Sequence, residues 1–215
     1  MKITPQRRAR FREVVANRQF DLTVILENVH DPHNIGAVLR SCDSVGIREI
    51  YVLYTEPELQ KRDKLEMGRR TSSGARKWVD VLFYTDPGAC FARVRRHYAS
   101  IWATHLNEES HDLYDLELTG SVALMFGNEH DGLSKEALSF ADGNFTIPQM
   151  GMVKSLNISV ACAVTLYEAL RQRRSAGFYG SDNPASGGQQ KALLADYLHR
   201  HEARLSGKNA KRINP

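Results

Sequence analysis

Apolar residues in this chain fall into short blocks separated by stretches of helical spacing. Residues 22–26, 49–53, 78–84, 101–104 and 122–126 are compact, largely apolar runs, the pattern of strands buried on both faces. Residues 145–147 predict a last short strand. Between the first two blocks, Ile35, Val38, Leu39, Cys42 and Val45 recur at helical spacing over residues 34–45, and Gly46 supplies a C-cap. Residues 87–98 and 134–140 predict further helices. The longest is expected over residues 156–173, where Ile158, Val160, Ala161, Val164, Leu166 and Tyr167 spread round much of the cylinder. Such a helix should be largely buried.

The flanks and gaps read differently. Residues 5–17 predict a sparse amphipathic helix with Phe11, Val14 and Val15 on one side, and residues 191–205 a terminal helix. Residues 175–190, rich in Gly, Ser and Asn, predict a linker. The segment 30–33, with Pro32, reads as a break. Residues 55–77 predict short helical pieces and a Ser/Gly-rich loop, and residues 107–120 a polar stretch.

Strands alternating with helices predict an α/β fold, a parallel sheet covered by helices on both faces. Ligands in such sheets bind beyond the carboxyl ends of the strands. That rule points to the loops after Leu26, Thr104, Phe126 and Ile147, and unusual residues stand there. His30 to Arg40 enters a helix carrying Asn34 and Arg40, an amide and a planar fork suited to phosphate or carboxylate. Its His-x-x-His element has no third ligand at suitable spacing, so no metal site is expected. Gly127-Asn128-Glu129-His130-Asp131-Gly132 follows the most apolar block, with two glycines that allow close backbone approach. It is not a phosphate-binding P-loop, since Leu133 stands where lysine is required. In the third loop Gly151, Met152, Val153 and Leu156 interleave with Lys154, Ser155 and Asn157, where a helix begins. Each loop alone is equally compatible with helix caps, a tight turn and solvated charge.

Charge changes the picture at the two ends. The net charge is only +4, but Lys2, Arg7, Arg8, Arg10, Arg12 and Arg18 crowd the first stretch against Glu13. Arg200, Arg204, Lys208, Lys211 and Arg212 crowd the last against Glu202. Basic ends around a near-neutral middle suit a polyanion, RNA first, or are simply solvated. The start of the chain lacks the apolar block of a secretory signal. Cys42, Cys90 and Cys162 are odd in number and widely spaced, without a disulfide or zinc pattern. A cytoplasmic setting with reduced thiols and no membrane partner is expected.

Three segments in order, NVHDPHNIGAVLRSCDSVGI (28–47), ALMFGNEHDGLS (123–134) and IPQMGMVKSLNISVACAVTLYEA (147–169), resemble the motifs of the SpoU branch of the SPOUT methyltransferases. DLTVILENV (21–29) and RQRR (171–174) extend the likeness over roughly residues 20–174. Within the branch the chain looks most like tRNA guanosine 2′-O-methyltransferases of the TrmH type, which modify a D-loop guanosine, position 18. The resemblance implies S-adenosylmethionine as methyl donor, a homodimer with contacts from the long helix, and a deep C-terminal trefoil knot. Together with the basic ends read from charge and pattern, it divides the chain into a basic N-terminal helix (1–19), a methyltransferase domain (20–174), and a linker with a basic C-terminal helix (175–215). Arg7, Arg8, Arg10, Arg12, Arg200 and Arg204 would then contact tRNA. Carried over by motif position, Thr104, Gly127, Ile147 and Leu156 border the cofactor, and Asn34, Arg40, Glu129, Ser155 and Asn157 hold the functional polar positions. Lys154 departs from the glutamine expected there.

The implied reaction is in-line attack of a ribose 2′-oxygen on a sulfonium methyl, which demands orientation and removal of one proton. The resemblance implies Arg40 as the key residue for that step. A free guanidinium is a poor base, so a role for Arg40 rests on its contact with the neighbouring phosphate and ribose. Two alternatives stay open on sequence alone. The same chemistry could serve ribosomal RNA or the tRNA wobble ribose, although ribosomal enzymes of this branch commonly carry a longer N-terminal RNA-binding extension. A non-catalytic RNA-binding protein could also keep the fold.

Overall fold

The computed structural model describes residues 3–61, 72, 74–180 and 188–205. Much of the expected Ser/Gly-rich loop, the centre of the linker, the basic tail and the side chain of Arg204 lie outside the described residues. In chain order the elements are α1 (Pro5–Ala16), β1 (Leu22–Glu27), α2 (Pro32–Ser44), β2 (Glu49–Leu53), α3 (Pro57–Gln60), β3 (Asp80–Tyr84), α4 (Pro87–Arg95) and β4 (Ser100–Thr104). There follow β5 (His111–Asp112), β6 (Val122–Phe126), α5 (Lys135–Leu138), β7 (Gly143–Thr146), α6 (Ile158–Ser175) and α7 (Gly188–Leu205). Single 3₁₀ turns occupy Ala75–Lys77 and Leu113–Asp115.

The strands form one 7-stranded sheet in the order β3-β2-β1-β6-β4-β7-β5, and every pairing is parallel. β1, β2 and β6 are buried along their whole length, as expected of central strands with helices on both faces. Strand alternation divides their side chains. Leu22, Val24 and Leu26 meet Val38, Leu39 and Cys42 of α2 and Ile158, Cys162 and Leu166 of α6. Ile25, Tyr51 and Leu53 belong to the opposite layer with Cys90, Phe91 and Val94 of α4 and Ala137 of α5. All three cysteines are buried and free. Burial pushes the Cys90 thiol up to about 12, so it is inert as a nucleophile.

Several expectations need correction. Pro32 opens α2 instead of breaking the chain: Asp31 caps the helix by accepting from the His33 N–H at 2.8 Å, and the missing proline N–H has no role at that position. The polar stretch 107–120 contributes β5 and three buried side chains, Leu113, Leu116 and Leu118. α6 is less buried than its composition suggests. Ile158 and Leu166 are in the core, but Val160 and Tyr167 are exposed.

The two terminal helices pack on each other. Phe11 of α1 lies 5.3 Å from Trp78, 6.1 Å from Tyr197 and 5.8 Å from His201, centroid to centroid. Beneath this cluster the Arg18 side chain is fully buried, donating to Tyr197 Oη (3.0 Å), to the Ile47 carbonyl (2.9 Å) and to Asp43. Arg200, expected at an RNA surface, is instead held between Asp80 and Asp196 and donates to the Lys77 carbonyl at 2.9 Å. Its charge is spent inside the protein, fastening α7 to β3. Phe11→Ala should therefore lower unfolding free energy by about 3 kcal/mol in urea denaturation; a loss below about 1 kcal/mol would mean that α1 is not docked on α7.

Candidate active site

Three loops leave the carboxyl ends of β1, β6 and β7, and each is stiffened by its own residues. After β1 the chain turns at Asn28 with φ 49°, a left-handed conformation that asparagine tolerates. The Asn28 side chain accepts from the Thr55 N–H (2.9 Å) and donates to Thr55 Oγ1 (2.8 Å), joining this loop to the one after β2. Next to it His30 Nε2 stands 3.0 Å from a Glu56 carboxylate oxygen. α2 then begins, with Asn34 in its first turn and Arg40 further along.

After β6, Asn128 folds the loop onto itself. Its Oδ1 accepts from the N–H groups of His130 (2.8 Å) and Asp131 (2.7 Å), and its N–H donates to the Gly132 carbonyl (3.1 Å). Gly132 takes φ 70°. A Cβ on Gly127 would overlap the Gly132 carbonyl and the Leu133 nitrogen, so only glycine fits there. After β7, Asn157 caps α6 by accepting from the Ser159 N–H at 2.9 Å.

One amide joins these loops. Asn34 Nδ2 donates to Glu129 Oε1, and Asn34 Oδ1 accepts from Asn157 Nδ2 at 3.2 Å. The orientation is forced, because a carboxylate only accepts and Asn34 must turn its NH₂ toward Glu129. Three of the five polar positions singled out in the sequence thus form one chain of hydrogen bonds. The other two do not join it. Arg40 and Ser155 are exposed, and among the described residues neither has a side-chain partner. Of the apolar-loop positions, Thr104 Oγ1 donates to the Met125 carbonyl (3.1 Å), Ile147 is half-buried against the α2/α6 layer, and Leu156 lies at the surface. Clefts of about 430 and 570 Å³ open elsewhere, beside the carboxyl end of α6 and between α1 and α6. Beside the three-loop site Met150 and Met152 are 95% and 98% exposed.

The sequence reading missed Glu27. It is a carboxylate only 1% exposed at the end of an otherwise apolar strand, and it accepts from both the N–H (2.8 Å) and the hydroxyl (2.5 Å) of Ser134. An acid closing a fully buried strand was the available signal, since such a group requires donors.

The chain is similar to known proteins along nearly all of its length. The SpoU rRNA Methylase family matches residues 21–167. A tRNA (guanosine(18)-2′-O)-methyltransferase of Thermus thermophilus is 41% identical over 198 residues, covering 92% of this chain and 98% of that protein. The solved structure of an A. aeolicus TrmH/SpoU tRNA modifying enzyme superposes with a TM-score of 0.79 at 34% identity, covering 91% of this chain and 96% of that one. The SpoU methyltransferase AviRb from Streptomyces viridochromogenes, solved in complex with the cofactor AdoMet, gives 0.65 at 29% identity, covering 74% of this chain and 62% of that one. Family match, sequence identity and fold agree, and this chain belongs to the SpoU rRNA Methylase family.

Proposed function

We propose that this protein transfers a methyl group from S-adenosylmethionine to the ribose 2′-oxygen of guanosine 18 in the D-loop of tRNA, acting in the cytoplasm as a homodimer. The observation that carries the reading is the Asn34 bridge, which fastens the loops after β1, β6 and β7 into one surface. The Thermus and Aquifex relatives, named for tRNA modification and matched almost end to end, favour tRNA as substrate.

The residues present fit the cofactor. The Gly127–Gly132 turn is closed too tightly at Gly127 for a side chain, so a ligand can approach its backbone closely, while Ile147 and Leu156 give apolar cover for an adenosine and Thr104 borders it. When bound, S-adenosylmethionine supplies an electrophilic methyl on a sulfonium. The chain's residues then orient the acceptor. Arg40, exposed and without an internal partner among the described residues, takes the phosphate beside the target ribose in its planar fork. The same guanidinium stabilises negative charge growing on the 2′-oxygen as its proton passes to solvent water. Ser155 and Asn157 shape the wall that faces the ribose, and Asn34 and Glu129 hold that wall in register with α2. Arg8 and Arg12, exposed on α1, extend a positive surface for the tRNA backbone. Arg7 stacks over Phe11 at 5.2 Å, and Arg10 pairs with Glu13 at 2.8 Å, so both are partly engaged already.

The homodimer reading rests on an apolar surface. Met150, Met152 and Val153 are exposed on the third loop, and Val160 and Tyr167, seven residues apart and so on one side of the helix, are exposed on α6; exposed apolar surface of this kind marks interfaces. A second copy would cover them. The trefoil knot follows as part of the same proposal: β6 inserts between β1 and β4, the chain continues to β7 beyond β4, and α6 returns against α2.

Arg40→Ala should cut methyl transfer to unmodified tRNA by about 100-fold or more while S-adenosylmethionine still binds. Full activity in that variant would remove Arg40 from the reaction. In sedimentation the protein should run at about twice its 24.3 kDa chain mass, and Val160→Asp should dissociate it. A wild-type monomer at micromolar concentration would contradict the dimer.

A further inference from the structure

The turn that the proposed function assigns to the cofactor is gripped at its base by a residue outside the family-like polar set. Glu27 closes β1 and is buried. Its two carboxylate oxygens accept from the N–H and the hydroxyl of one residue, Ser134, at 2.8 and 2.5 Å. Ser134 is the first residue after the Gly127–Leu133 turn, and its Oγ accepts from the Ala137 N–H at 3.1 Å to cap α5. The turn is therefore pinned at one end by β6 and at the other by Glu27. In between, Leu133 is buried and Gly127 abuts Gly132, leaving the turn little room to slide. The loops after β1 and β6 are thus joined twice, at the base by Glu27 with Ser134 and at the rim by Asn34 with Glu129.

A carboxylate buried at this depth is costly unless its donors are present. Here all the described donors come from a single residue, so the carboxylate dictates where that residue, and the turn before it, must sit. We propose that Glu27 is a positioning residue for methyl-donor binding, holding the 127–132 backbone in its ligand-ready shape through Ser134. The inference rests on the reading that this turn holds S-adenosylmethionine. It concerns donor affinity, and not the chemical step or tRNA binding, because Glu27 is buried and bonds to Ser134, whereas Arg40 and Ser155 are exposed.

The test titrates S-adenosylmethionine by calorimetry into full-length Glu27→Ala, Ser134→Ala, the double variant and Glu27→Gln, with Gly127→Ala as reference. Turnover is measured at saturating donor with unmodified tRNA. Glu27→Ala is expected to raise the donor Kd about tenfold or more, with kcat at saturation within about threefold of wild type. Adding Ser134→Ala to it should change Kd by less than about twofold, because the contact is already gone. Glu27→Gln should stay within about threefold, since its amide can accept from the Ser134 N–H and donate to the hydroxyl oxygen. A Glu27→Ala protein that binds donor within about twofold of wild type overturns the proposal, whatever its melting temperature. So does a double variant whose two effects multiply. If Glu27→Ala does not fold, Ser134→Ala reads the same contact, with about threefold weaker binding expected and wild-type affinity overturning the proposal. Gly127→Ala separates the two levels of the argument. Wild-type donor binding in Gly127→Ala would sink the cofactor reading itself, whereas lost binding there with intact binding in Glu27→Ala sinks only the role of Glu27.

Discussion

The site depends on one side-chain amide. Asn34 is polar in two opposite senses at once, and its position at the start of α2 lets it donate to Glu129 while accepting from Asn157. Those partners are 95 and 123 residues away in the chain. Fastening loops so far apart carries a closure cost that one hydrogen bond cannot meet. The sheet meets most of it. β1, β6 and β7 run the same way, so their loops emerge at one end and the amide needs only to choose among nearby arrangements. An aspartate at position 34 would set two carboxylates against each other, and a leucine would leave Glu129 and Asn157 without that link.

The opposite end of the sheet is secured by different chemistry. Arg173, wholly buried near the end of α6, donates to the Leu118 carbonyl (2.8 Å), to Gln19 (3.0 Å) and to Asp21 (2.6 Å) around the start of β1. Arg18 does the same for α1, α7 and the end of α2. Each buried guanidinium is supplied with carbonyl and carboxylate acceptors, the condition under which such a charge is tolerated. The protein is therefore braced by buried networks at this end, whereas Arg40 is exposed on α2 and has no side-chain partner among the described residues. Rigidity at one end leaves the other free to be built from loops.

Much of this could be read from the residues. Compact apolar runs separated by helical spacing gave the parallel sheet, and the strand-end rule directed attention to the loops that hold Asn34, Glu129 and Asn157. What escaped was long-range or dispersed. Leu113, Leu116 and Leu118 are core residues, but they are set among Asp115, Glu117 and Thr119, and no local period marks them. Arg200 reads as part of a basic face because Asp80, its half-buried partner, lies 120 residues earlier. Val160 and Tyr167 read as core because apolar character alone cannot tell a buried face from an exposed one. Glu27 reads as the polar end of a strand, since its donor Ser134 is 107 residues away. The individual polar positions were legible through family resemblance, whereas their joining through one amide required the fold.

The most direct test of the account is the position of the methyl group. Unmodified tRNA incubated with the purified protein and methyl-labelled S-adenosylmethionine is digested, and the modified nucleotide is located by mass spectrometry. The account predicts one 2′-O-methylguanosine, at position 18 of the D-loop. A methyl group on a base, or on a ribose elsewhere with guanosine 18 untouched, would contradict it.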